Sequence, residues 1–102
     1  MIFDSKGKTI AKTGDTYLTG DGAYQKSGGT LFGPKGDSAV SAGSLTFAGG
    51  ETVQVLGDCL YTSRGTYRLA GNMLFGPGGE TWSGVSSVEE ARDIVSMDLM
   101  RK

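Results

Sequence analysis

The chain contains no histidine and one cysteine among its 102 residues. Without an imidazole, the Ser-His-Asp and Cys-His arrangements and most transition-metal sites are excluded. Cys59 stands between Asp58 and Leu60 at an alternating strand position and reads as a small buried hydrophobe rather than a reactive thiol. Eighteen glycines invite a phosphate-loop reading, yet neither G-x-x-x-x-G-K-[ST] nor a G-x-G-x-x-G between strand and helix is present. Calcium-binding nonapeptides need an ordered G-G-x-G-x-D run, which Thr19-Gly20-Asp21-Gly22 and Gly33-Pro34-Lys35-Gly36-Asp37 only approximate, at the wrong period. Asp15, Asp21, Asp37 and Asp58 are therefore turn formers that hydrogen-bond their own backbone. Glu51, Glu80, Glu89 and Glu90 make no catalytic pair visible in the sequence, although carboxylates from distant segments can still meet in space. The expectation is a protein that is not an enzyme, with no cofactor and no metal; an unusual carboxylate- and tyrosine-based enzyme is the remaining catalytic alternative.

Binding is the other chemistry these residue types support. Tyr17, Tyr24, Tyr61, Tyr67 and Trp82, with Arg64 and Arg68 nearby, could form a platform for bases, sugars or peptide. Lys6, Lys8, Lys12, Lys26 and Lys35 add cations at turns and strand edges. The competing reading is core packing with a solvated rim, which a chain this small favours. A net charge of −1 and a pI of about 5.2 carry no basic footprint, so nucleic acid is the least favoured partner.

The elements that would position these groups follow from a repeat. Gly14, Gly28, Gly43, Gly57 and Gly71 recur every 14 or 15 residues, and Gly22, Gly36, Gly65 and Gly79 stand eight residues after four of them. In the third unit Gly50 arrives one residue early. Four residues after each leading glycine comes a large apolar residue: Leu18, Phe32, Phe47, Tyr61 and Phe75. Residues 1–13 fit as a half-unit, with Phe3 and Gly7 in the equivalent places. Each unit reads as a hairpin with one tight turn (Gly-Asp, Gly-Gly, Gly-Ser or Gly-Asn) and one looser glycine-ended loop. The two-residue period puts Cys59 with Tyr61, and Met73 with Phe75, on one face. Tyr17, Leu31, Thr46, Leu60 and Leu74 then point to the other. Both faces are apolar, so the second face needs a cover.

Five and a half units imply about eleven strands, too many for a flat open sheet. The expected fold is mainly β: an antiparallel meander of 14-residue hairpins over residues 1–85, curled into a barrel-like or two-layer shape. A parallel solenoid is the rival. Residues 86–102 change period: Ser87 and Glu90 have capping-box spacing, and Val88, Ala91, Ile94, Val95 and Leu99 form an apolar stripe. Glu89, Arg92, Asp93 and Ser96 lie off that stripe, while Arg101 and Lys102 suit the negative end of the helix dipole. A rod of roughly 20 Å is unstable alone and must pack, across one sheet face, on the end of a barrel, or on another subunit, with Trp82 at the seam.

The run Arg68-Leu69-Ala70-Gly71-Asn72-Met73-Leu74-Phe75-Gly76-Pro77-Gly78-Gly79 resembles short bacterial Gly-Asn/Tyr-Gly β-hairpin repeat proteins. The resemblance covers most of residues 1–85 and implies a bacterial β-repeat origin, with no catalytic residue attached. Met1–Lys6 lack the apolar segment of a secretory signal, no apolar run reaches membrane-spanning length, and one cysteine fits a reducing compartment. A soluble cytoplasmic protein is the expectation. Two apolar faces, edge strands and a helix in need of a dock point to a non-catalytic structural or interaction protein whose partner is a second copy of itself or another protein.

Overall fold

In the computed structural model, which describes residues 2–5, 7–20, 22–48 and 50–101 (side chains of the last two apart), the chain forms a closed antiparallel barrel of twelve strands. They are β1 (Ile2–Asp4), β2 (Thr9–Thr13), β3 (Thr16–Thr19), β4 (Gly22–Ser27), β5 (Thr30–Phe32), β6 (Ser38–Ala42), β7 (Leu45–Ala48), β8 (Glu51–Leu56), β9 (Cys59–Thr62), β10 (Gly65–Ala70), β11 (Met73–Phe75) and β12 (Thr81–Ser83). One helix, α1 (Val88–Arg101), follows. Lys6, Asp21 and Lys102, assigned roles above, lie outside the described residues.

Sequence-neighbouring strands pair throughout, and β1 returns to β12 with Phe3 opposite Ser83 and Asp4 opposite Trp82. The expected half-unit is thus a full hairpin that supplies both β1 and β2. Twelve strands result rather than eleven, and the solenoid is excluded. Closure also removes the edge strands expected above; every strand has two partners.

The leading glycines make the tight turns. Their φ values, all between 60° and 64°, occupy the left-handed region, while no other residue type has a positive φ among the described residues. A glycine of that kind in the first of two loop positions matches the turn whose twist suits a hairpin. The carbonyls of Asp15, Gly29, Ser44, Asp58 and Asn72, each just after a leading glycine, accept from Lys26, Ser41, Val55, Leu69 and Gly84 N–H groups. This shared bond is the repeat expressed in backbone chemistry.

Side chains alternate as the two-residue period requires. Ile2, Ile10, Tyr17, Tyr24, Leu31, Ala39, Thr46, Val53, Leu60, Tyr67, Leu74 and Trp82 are buried. Phe3, Leu18, Phe32, Phe47, Tyr61 and Phe75 stand on the outside. Cys59, expected to be buried, is half-buried because it shares the outward register of Tyr61.

A circle of twelve strands about 4.8 Å apart and tilted by about 40° has a radius of roughly 12 Å. A helix with its side chains has a radius of about 5–6 Å, which leaves room for one layer of inward side chains around it. The helix fills that space. It is contacted from β6, β7, β8 and β10, and bonded from Lys12 on β2, Tyr17 on β3 and Lys26 on β4, on opposite walls of the ring. Residues 93–99 are buried without interruption, a pattern that a helix lying on a sheet cannot show. The expected docking across a sheet face or on the barrel end is corrected: α1 runs through the lumen, because a closed sheet offers its apolar inner face nowhere else.

The wide loops carry their own constraint. Gly65 has φ 135°, and a Cβ there would approach the Pro77 Cβ to 2.5 Å; Gly22 and Pro34 repeat the contact at 2.7 Å. Gly65→Ala should therefore cost about 2–4 kcal/mol, whereas Gly20→Ala, in open space at an ordinary φ, should stay within about 0.5 kcal/mol. Urea unfolding of the two variants measures both.

Candidate functional site

Polar chemistry collects where the helix enters. The N–H groups of Gly84 and Val85 both donate to the Asn72 carbonyl, so the chain leaves β12 at the tight-turn rim and turns inward there. The Glu90 N–H donates to the Ser87 Oγ at 3.2 Å, the first half of the expected capping box. The reciprocal half is shifted by one residue, since the Glu90 carboxylate accepts from the N–H and Oγ of Ser86.

Around this first turn lies a recess of about 280 Å³ whose lining includes Lys12, Tyr17, Lys26, Glu89, Glu90 and Asp93. Lys26 Nζ lies 2.9 Å from Glu89 and 3.2 Å from Asp93, and Lys12 Nζ lies 3.4 Å from Glu90 and 5.5 Å from the centre of the Tyr17 ring. Tyr17 Oη donates to Asp93 Oδ2 at 2.7 Å. Deeper in the lumen, Tyr67 Oη donates to Asp98 Oδ2 at 2.8 Å. Asp93 and Asp98 are 5 % and 4 % exposed, so each is a buried carboxylate held by a phenol from the barrel wall.

These contacts set protonation states. Burial, then the hydrogen bond to Asp93, raises the Tyr17 phenol far above its usual range; burial and Asp98 do the same to Tyr67. Partial burial alone would lower the Lys26 ammonium, but the hydrogen bonds and charges of Glu89 and Asp93 outweigh it and raise its pKa. The hydrogen bond from Lys26 lowers Glu89. Tyr17 and Lys26 therefore keep their protons at neutral pH, and neither serves there as a base. The cluster fastens the helix to the wall, with Lys26 bridging an exposed and a buried carboxylate.

The seven residues of the expected platform do not come together. Tyr17, Tyr24, Tyr67 and Trp82 point into the lumen and are buried, the Tyr67 and Trp82 rings lying 6.0 Å apart. Trp82 lies beside Ile94 and Met97, at the helix seam assigned to it. Tyr61 is on the outside, Arg64 pairs with Glu51 at 2.7 Å on the wide-loop rim, and Arg68 lies on the outer wall. The platform fails because four of its five aromatics share the inward register. Reading the helix as one apolar stripe also missed Asp93 and Asp98. A signal existed: Lys12 and Lys26 fall on the inward register of β2 and β4, and cations aimed into a barrel need carboxylates inside it.

The outer wall is the second notable surface. Among the outward-facing residues of the twelve strands, Arg68 alone is charged. Nine large hydrophobic side chains stand there with 37–54 % of their surface exposed: Phe3, Leu18, Phe32, Val40, Leu45, Phe47, Leu56, Tyr61 and Phe75. The other described charges occupy the rims, the loops and the lumen. No family model, curated protein or solved structure matches this chain.

The polar cluster has a defined pH signature. Glu89 is depressed in the folded state, so its share of stability is present above the ordinary value of 4.5 and is lost as pH falls through the depressed one. Lys26 is raised, so its share is present below 10.5 and is lost as pH rises through the higher folded value. Lys26→Met should cost about 1–3 kcal/mol at about pH 7, with the gap to the parent narrowing below pH 4.5 and above pH 10.5. Denaturant titrations across pH test this.

Proposed function

We propose that this chain is a non-catalytic structural or interaction protein that associates with copies of itself. The observation that carries this reading is the outer wall, on which Arg68 is the one charge among the outward strand residues. Soluble surfaces normally carry charged residues at about 25–35 % of positions, mixed in sign, and a wall this neutral gives little protection against association. Because the barrel is closed, contact has to be made face to face rather than by adding a strand to an edge.

Lipid is a poorer match for the same wall. Strands of three to six residues rise about 10–20 Å, whereas a membrane-spanning strand takes about 9–11 residues. No helix among the described residues is long and apolar enough to cross a membrane. The recess at the helix entry supports the structural side of the reading, since Lys12, Tyr17, Lys26, Glu89, Glu90 and Asp93 in its lining bind each other.

Sedimentation velocity over roughly 1–200 µM should show the weight-average coefficient rising with concentration, a range matched to a weak apolar contact. The rise should persist in high salt, because no ion pair across the contact is involved. A single monomeric boundary at every concentration would overturn the reading.

A further inference from the structure

We infer that the barrel wall is two copies of one three-hairpin half, which gives α1 two seats half a turn apart. Lys12, Tyr17 and Lys26, carried by one copy alone, decide which seat is taken. The halves are β1–β6 and β7–β12. From β3 onward the strand starts recur 43 positions later: Thr16 and Cys59, Gly22 and Gly65, Thr30 and Met73, Ser38 and Thr81. That interval is three of the short units, and the chain's two prolines mark it, Pro34 clasping Gly22 as Pro77 clasps Gly65. Thr19 Oγ1 donates to the Gly22 carbonyl at 3.0 Å, and Thr62 Oγ1 to the Gly65 carbonyl at 2.8 Å. A Cβ at Gly33 would meet the Tyr24 ring at 3.3 Å, and one at Gly76 would meet the Tyr67 ring at 3.3 Å. The backbone follows: φ is 130° and 135° at Gly22 and Gly65, and 85° and 87° at Gly36 and Gly79.

Two equal halves of six strands close a ring whose two-fold axis runs along the lumen, where α1 lies. Turning the helix by half a revolution about that axis presents each of its sides to the same backbone in the opposite half. The inward side chains are what distinguish the two seats. Lys12, Tyr17 and Lys26 have Val55, Leu60 and Leu69 as their counterparts. In the observed seat the three polar side chains meet Glu89, Glu90 and Asp93. In the other seat Glu90 and Asp93, now 8 % and 5 % exposed, would face three side chains that offer no donor, which buried carboxylates resist. Asp98 does not discriminate: it accepts from Tyr67, and Tyr24, the counterpart phenol, lies beside it in the lumen. The rival selector is steric, because Trp82 stands where the first half has Ala39 and lies beside Ile94 and Met97.

The experiment compares the full chain with two variants by urea unfolding and NMR. The stripped chain carries Lys12→Val, Tyr17→Leu and Lys26→Leu; the transposed chain adds Val55→Lys, Leu60→Tyr and Leu69→Lys. Stripping should raise the unfolding constant about a hundredfold, because buried carboxylates lose their donors. Transposition should bring it back to within about tenfold of the parent, by re-forming the same pairs on the opposite wall. The helix should then have turned, so the nuclear Overhauser contacts of the Trp82 indole with Ile94 and Met97 in the parent should be lost. If the stripped chain is unfolded outright, refolding on transposition gives the same result. A transposed chain that is no more stable than the stripped one, or that does not fold, shows that the second half offers no seat and overturns the proposal. A transposed chain that regains stability yet keeps the Trp82 contacts with Ile94 and Met97 assigns the choice to Trp82 and overturns it as well.

Discussion

A barrel of twelve strands is too wide for its own inward side chains to fill, and most of this structure depends on how that space is occupied. About eight strands suffice for a lumen packed by side chains alone; at twelve, a cylinder the size of a helix remains open. Here α1 takes it, over a length of about 21 Å against a smallest molecular dimension of 23 Å. The exchange is mutual. The helix is too short to persist alone in water, and without it the wall would enclose a cavity that removes packing from every inward residue. Barrel closure and helix formation are therefore expected to belong to one cooperative unit.

Putting a helix inside a barrel buries all of its faces, including the polar one, and that explains the placement of charge. Asp93 and Asp98 need partners in the lumen, and Tyr17, Tyr67 and Lys26 provide them from the wall. Each is a buried group whose cost is offset only while its partner stays in place, so these bonds fix the depth and rotation of the helix as much as they stabilise it. With chemistry drawn inward, the outer faces of the strands keep mainly threonine, serine, alanine and nine large hydrophobics, with Arg68 as their one charge. The surface proposed for association is in this sense the counterpart of a polar interior.

Much of the fold was legible from local signals. The glycines at 14, 28, 43, 57 and 71 mark the turns, and the period of two placed Leu31, Leu60 and Leu74 opposite Phe32, Tyr61 and Phe75, as the burial pattern confirms. Closure was not legible, because it is made by Phe3 and Asp4 meeting Ser83 and Trp82 some 80 residues away, and neither end carries a local mark of that pairing. The helix position was missed for a related reason. Its apolar stripe looked sufficient for one face, whereas Tyr17–Asp93 and Lys26–Asp93 link residues 76 and 67 positions apart. The aromatic platform failed on register: Tyr17, Tyr24, Tyr67 and Trp82 fall on the same parity as the core.

Amide hydrogen exchange across α1 tests the lumenal helix most directly. If the helix fills the barrel, the amides of residues 93–99 exchange only through global unfolding, with protection equal to that of the central residues of β8–β10. Protection well below that of the strands, lost at a lower denaturant concentration than the barrel, would place the helix outside the cooperative core and contradict the account.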